Sequence, residues 1–291
     1  MIAITLLIII TLIHAEPTSS VTKRLRQSRD LGQHPFNFYV LSMSYQPEFC
    51  YSHNSHTKLN PYPGCESPLE TWKHNLTIHG LWPQFTDGTW PSTCSNEKFN
   101  PSIMEQFGWN VLDEKWPNVK ASESDLDEYV TFWEHEWTKH GTCSGLSQHE
   151  YFNAALSHFV STPPVVYDYY LINSKQEHQA STDPAYSTNE EIEGDIAFLK
   201  SFPKQLLLIG YGGPGNVVLT CSNKKYLSEI RMCFGKDEVT HLPLERITCP
   251  DSVMKEDSCG DDIVVSVFHE DAVEEINIAE NKAKQFPIMY S

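Results

Sequence analysis

The apolar positions of this chain begin as one run, Ile2 to Ile13, which ends in His14-Ala15 before Glu16-Pro17. A helix that spans a bilayer needs about 20 apolar residues, so this run is too short to cross. A secretory signal peptide over residues 1–15 is expected, although no basic residue precedes the run and Ile13 is larger than the side chain preferred near such a cut. Lys23-Arg-Leu-Arg-Gln-Ser-Arg29 then marks residues 16–35 as a flexible, basic lead-in. No later segment is apolar enough to span a membrane.

Strand-like patterning follows. Phe36 to Tyr45 is rich in aromatic and β-branched residues and predicts a first strand, closed by Gln46-Pro47 and Cys50. Asn75 to Pro83 predicts a second, with Leu76, Ile78 and Gly80 on one face, Thr77 and His79 on the other, and Gly80 and Pro83 as its end. Helical spacing then takes over: Ser122 to Glu128 offers hydroxyls and carboxylates suited to a helix start, and Gly141 supplies a stop. Gln148 to Ser161 predicts another helix, ended by Pro163-Pro164, and the polar Ser174 to Glu193 a loop opening into a helix near Ile192 to Phe202. Leu206–Tyr211, Asn216–Cys221 and Tyr226–Phe234 read as strands with glycine and proline between them. Residues 269–291 carry helical apolar spacing and read as an extension, so the main domain is expected over 36–268.

Chemistry concentrates in Phe132-Trp-Glu-His-Glu-Trp-Thr-Lys-His-Gly-Thr-Cys143. At helical spacing Phe132, Glu136 and His140 fall together, while His135 and Lys139 form a neighbouring stripe. A solvated charged face, with Trp133 and Trp137 turned to the core, is the plain reading. Zinc is disfavoured, because His135 and His140 stand five residues apart, roughly 140° around a helix of 3.6 residues per turn. General acid–base work beside anion stabilisation fits better, since an imidazole titrates near neutrality and Glu136 and Lys139 can steer it. Such chemistry needs a second proton carrier on another element.

Net charge is −17 with 13 histidines in 291 residues, the wrong sign for broad electrostatic binding of nucleic acid at neutral pH. Protonation of those histidines would shrink the deficit, which points to an acidic working compartment. The eight cysteines form no Cys-x-x-Cys pair, so disulfides are expected in preference to a metal site.

His79-Gly-Leu-Trp-Pro83 together with His135-Glu136-x-x-Lys139-His140-Gly141-x-Cys143, in this order with Cys94 between them, resembles the two active-site segments of the T2 family of secreted ribonucleases. The likeness runs from about Asn37 to Phe268 and also covers Trp116-Pro117, Asp183-Pro-Ala-Tyr186 and Leu227-Ser-Glu-Ile-Arg-Met-Cys233. It implies an α+β fold: an antiparallel β-sheet core carrying the His79 strand, flanking helices, and stabilisation by disulfides. It implies that His140 is the general base for a ribose 2′-hydroxyl and His79 the general acid for the departing 5′-oxygen. Lys139 and Glu136 would stabilise the phosphorane, and His135 would hold the phosphate. The product would be a 2′,3′-cyclic phosphate, opened later to a 3′-phosphate.

The resemblance further implies base stacking on Trp82 and Trp90, and a pocket for the 3′ base lined by Phe132. Gln84 stands where the family usually has an acidic residue, which puts any carboxylate-read base preference in doubt. Four pairings are implied: Cys50–Cys65, Cys94–Cys143, Cys221–Cys259 and Cys233–Cys249. Asn75-Leu-Thr77 is the single glycosylation sequon. The expected substrate is single-stranded RNA, with DNA inert for want of a 2′-hydroxyl, no cofactor or metal, and a monomeric protein that is extracellular or lysosomal. The competing expectation is a secreted binding or immunomodulatory protein on a ribonuclease scaffold.

Overall fold

Phe38–Tyr45 forms β1, a central strand whose two faces serve two different cores. Tyr39, Leu41, Met43 and Tyr45 enter the main apolar cluster, while Phe38 and Val40 join a smaller one with Val218, Cys233, Cys249 and Val253. This is period-2 geometry with both faces covered, hence a strand buried nearly throughout. In the computed structural model, residues 36–51, 59–160, 202–266 and 268 are described.

The main sheet is antiparallel with the order β2-β1-β5-β4, in which β2 is Leu76–Gln84, β4 Val218–Ser222 and β5 Tyr226–Lys236. The far end of β5 also pairs with β6, Pro243–Ile247. Phe202–Pro203 (β3) and Asp262–Ile263 (β7) make a separate two-stranded ribbon. Helices pack beside the sheet, so the fold is α+β. The four disulfides are Cys50–Cys65, Cys94–Cys143, Cys221–Cys259 and Cys233–Cys249.

Three expectations change. First, β2 runs through Gly80 and Pro83 to Gln84. β2 is an edge strand, the place in a sheet where a proline such as Pro83 is tolerated, because alternate N–H groups there face away from the neighbouring strand. Second, Ser42 pairs with Gly80 and Met43 with Ile78, so His79 is an extra residue, a β-bulge. The bulge breaks the alternation: Leu76, Ile78 and Leu81 share the main core, and Gly80 does not lie on their face. Third, Lys204–Gly210 is a helix where a strand over Leu206–Tyr211 was expected. Leucine is a strong helix former, and Leu207, Leu208 and Tyr211 bury one helical face at i, i+1 and i+4.

The helix expected to start within Ser122–Glu128 begins at an Asp125 cap, whose carboxylate accepts from the Glu128 amide. It falls into two pieces, Leu126–Tyr129 and Thr131–Lys139. Val130 joins them without losing the ladder, donating to Leu126 O and accepting from the Glu134 amide. Trp133 and Trp137 are buried in the main core. Gly141 follows the helix where a side chain would strike the Trp137 ring. The next helix, Gln148–His158, opens on a Ser147–Glu150 capping box and sends Tyr151 to donate to Leu81 O.

No helix among the described residues is long and apolar enough to cross a membrane. The expected signal peptide, the lead-in, Pro163-Pro164, Asp183–Tyr186 and the extension 269–291 lie outside the described residues, as does the expected helix near Ile192 except for Phe202, which is in β3.

Candidate active site

The bulge at His79 presents an imidazole whose side chain is 34% exposed. Its carbonyl accepts from Trp116 Nε1, which fixes the backbone at that point. Nδ1 lies 2.6 Å from Glu229 Oε1 on β5, and Nε2 lies 3.9 Å from Glu136 Oε1. The ring meets Trp82 edge-on at 5.1 Å and Phe132 at 5.9 Å. Burial pulls its pKa down, but the hydrogen bond and charge of Glu229, with the charge of Glu136, outweigh burial and the opposing Arg231, so the net shift is upward.

Helix Thr131–Lys139 brings Glu136 and, just past its end, His140 to the same place. Glu136 is 1% exposed, and Oε2 accepts from Trp82 Nε1 at 3.0 Å. Burial raises its carboxyl against the counter-pull of His79, Trp82 and Lys139. His140 stacks on Trp82 at 5.3 Å and is 5% exposed. Its buried Nδ1 has no hydrogen-bond partner among the described residues. Burial first, then the charges of Lys139, His135 and His79, push its pKa down to about 3. His135 is exposed and is also shifted down, by desolvation and then by Lys139 and His79. Four cationic or potentially cationic groups thus converge, an arrangement suited to an anion.

Gly80 lets these elements close up. A Cβ there would overlap Glu136 Oε2 and Trp82 Nε1. Gly80→Ala is therefore expected to lower stability by about 1–3 kcal/mol, the usual scale of overpacking, and to displace the Trp82 indole N–H resonance. A melt and an indole spectrum identical to wild type would show that the contact is slack.

A cleft of about 440 Å³ opens beside His79, lined by Phe132, Gln46, Asn118, Ile78 and Glu229 among others. Phe132 therefore sits where a bound group beside His79 would meet it. Trp90 is 53% exposed, whereas Trp82 is wedged among His79, His140, Glu136 and Arg231, whose guanidinium lies 5.2 Å from the indole centroid. Gln84 is buried at the end of β2. Asn75 closes helix Glu70–His74, with its amide donating to Thr71 O. Thr77 of the sequon is fully buried against Gln46.

Sequence reasoning assigned no role to Glu229 or Arg231. The available signal was a Glu-x-Arg pair inside an otherwise apolar strand, which puts both charges on one face at i, i+2. What hid their partner was the distance along the chain: Glu229 meets a histidine 150 residues earlier.

A family model described as the Ribonuclease T2 family matches residues 36–249. Intracellular ribonuclease LX of Solanum lycopersicum is 35% identical over 121 residues, 42% of this chain and 46% of that protein. Ribonuclease 1 of Arabidopsis thaliana is 37% identical over 125 residues, 42% of this chain and 49% of that protein. The matches to these two span about half of their length. Ribonuclease DdI of Dictyostelium discoideum is 27% identical over 238 residues, 80% of this chain and 86% of that protein. The crystal structure of RNase NT in complex with 5'-AMP aligns with a TM-score of 0.47 at 22% identity, covering 75% of this chain and 92% of that one. Because the family match runs unbroken across β1, β2, the Thr131–Lys139 helix and β5, the chain belongs to the ribonuclease T2 family.

Proposed function

We propose that this protein is an endoribonuclease that cleaves single-stranded RNA by attack of the ribose 2′-hydroxyl on the adjacent phosphate. The observation that carries this reading is a pair of imidazoles, from a strand bulge and a helix end, that meet the same Trp82 ring at 5.1 Å and 5.3 Å in opposite surroundings: His79 beside the Glu229 carboxylate, and His140 buried with Nδ1 unpartnered among the described residues. Two titratable groups driven apart by their surroundings are the usual mark of an acid and a base. His140, neutral above its lowered pKa, takes the 2′-hydroxyl proton. The oxygen then bonds to phosphorus in line with the departing 5′-oxygen, which receives the Nε2 proton of the His79 imidazolium. Lys139 places positive charge on a non-bridging oxygen, and His135 holds the phosphate. Glu136, kept toward its neutral form by burial, offers an O–H to the other oxygen from Oε1, since Oε2 is occupied by Trp82. The products are a 2′,3′-cyclic phosphate and a free 5′-hydroxyl. Water then opens the cycle to a 3′-phosphate with the two histidines in exchanged roles.

For the 5′ base, stacking is assigned to the exposed Trp90 and to Trp82 only along its edge, since His140 stacks on the Trp82 ring and Arg231 lies over it; the Phe132 cleft takes the 3′ base. The domain division is signal peptide 1–15, lead-in 16–35, catalytic domain 36–268 and extension 269–291. The apolar run Ile2 to Ile13 supports export to the extracellular space or a lysosome, and the Asn75-Leu-Thr77 sequon offers a site for a glycan.

The test is cleavage of RNA and of matched DNA by purified, disulfide-bonded protein from pH 3 to 9 with chelator present. RNA alone should be cut. The rate should hold over a broad acidic plateau and fall as pH rises through the elevated pKa of His79, because the acid is then unprotonated. Folded protein that cuts neither substrate would favour a binding role on the same scaffold.

A further inference from the structure

β2 and β5 flank β1 on opposite sides, yet Glu229 of β5 reaches His79 of β2. It can do so because β1 places serines between them: Ser44 pairs with Glu229, and Ser42 pairs with both Arg231 and Gly80. A bulky side chain at Ser42 would stand between carboxylate and imidazole. The two Glu229 oxygens are divided between two tasks. Oε1 faces His79 Nδ1 at 2.6 Å, while Oε2 accepts from Arg231 Nη2 at 2.7 Å, Arg231 Nε at 3.2 Å and Ser42 Oγ at 3.3 Å. Arg231 is held in turn by Glu256 and lies over the Trp82 ring. A carboxylate gripped by so many donors cannot swing away from the histidine.

We propose that Glu229 is the positioning residue of the general acid: it binds His79 Nδ1–H so that Nε2 is the atom presented to the leaving oxygen, and Arg231 locks it in that pose. This rests on the reading of His79 as the acid. A neutral His79 with Nδ1–H paired to Glu229 takes its next proton at Nε2, the nitrogen it must donate from. Glu229 stays ionised throughout: burial raises its pKa, but His79 and Arg231 overcome this and leave it at about 2. The titratable and charged groups around the imidazole are Glu229 and Arg231 from β5, Glu136, His135, Lys139 and His140 from the helix end, and Glu256 behind Arg231. Of these, Glu229 alone is hydrogen-bonded to the ring.

The experiment compares two substrates that differ in their need for an acid. RNA expels a 5′-alkoxide and needs protonation, whereas uridine 3′-(4-nitrophenyl phosphate) expels a phenolate that leaves without it. Glu229→Gln is expected to lower kcat/KM on RNA at pH 7 by about 10- to 100-fold, taking the scale known for the outer hydrogen-bond partner of a metal-bound histidine as the guide. Its alkaline limb should move to lower pH, and cleavage of the nitrophenyl ester should be nearly unchanged. His79→Ala should show the same split between substrates. In the wild type, ring nitrogen shifts should report neutral His79 as the Nδ1–H tautomer, a reading that requires no variant to fold.

Equal losses on both substrates, an unmoved alkaline limb, or an Nε2–H tautomer would each overturn the proposal. Wild-type protein inert toward both substrates would instead overturn the ribonuclease reading beneath it.

Discussion

Exchanging His140 for alanine is expected to lower RNA cleavage by about 10²- to 10⁴-fold across the working pH range, the span assigned to one positioned acid–base group. The loss should be equally deep on the nitrophenyl ester, because the 2′-hydroxyl must be deprotonated whatever departs. That pattern separates a base from the acid at His79, whose loss the better leaving group forgives. His140 suits the role through its environment: it is almost fully buried, stacked on Trp82, and ringed by Lys139, His135 and His79, so the imidazole remains neutral with its lone pair available. Full activity in the variant would remove His140 from the mechanism.

The same burial makes a stability statement. With a folded pKa of about 3 against 6.5 when free, His140 binds fewer protons folded than unfolded between those values. Stability contributed by its neutral form is therefore complete above pH 6.5 and is lost as pH falls toward 3. His140→Ala should lose less melting temperature than wild type on acidification from pH 6.5 to 4. Glu229 contributes in the same sense, but its window lies lower, between its ordinary value of 4.5 and about 2. With His140 as the base, activity in acid would come at some expense of stability there.

Much of the frame was legible in the sequence, for physical reasons that differ by element. β1 announced itself through aromatic and β-branched residues, β5 through the glycine and proline punctuation around its apolar run, and the Thr131–Lys139 helix through a polar start and the Gly141 stop. Eight cysteines admit 105 pairings, so the four disulfides were legible only through family resemblance. The bulge was not read from the sequence: a regular strand would put Leu81 on the His79 face, and where the extra residue sits is defined only by pairing with β1. Leu206 to Tyr211 misled because a short apolar run carries no period that separates a buried helix from a strand. The grouping of His79, Glu136 and His140 emerged from motif order, whereas the Glu229–Arg231–Glu256 chain required β5 to lie beside β1. Charges on a strand reveal their partners only when the sheet order is known.

Removal of the Cys94–Cys143 bridge, by serine at both positions, should give the largest loss of stability among these variants. The bridge closes a separation of 49 residues, for which the chain-entropy account assigns about 4 kcal/mol, through greater freedom of the unfolded chain. For a domain of this size that corresponds to a melting temperature lower by on the order of 10 °C. The bridge also ties the Gly141–Cys143 turn, directly after His140, to the segment that follows β2. That junction has other ties: the Thr93 amide donates to Lys139 O, the Cys94 amide to Thr142 Oγ1, and Trp137 Nε1 to Glu97 O. These bonds should hold the turn in place well below the melting temperature. The variant should thus lose much stability but far less kcat than His140→Ala, and its residual activity should fall steeply on warming as the turn frees itself. A melting temperature within a degree or two of wild type would mean that the hydrogen bonds alone restrain this loop, and that the disulfide adds little to what they already do.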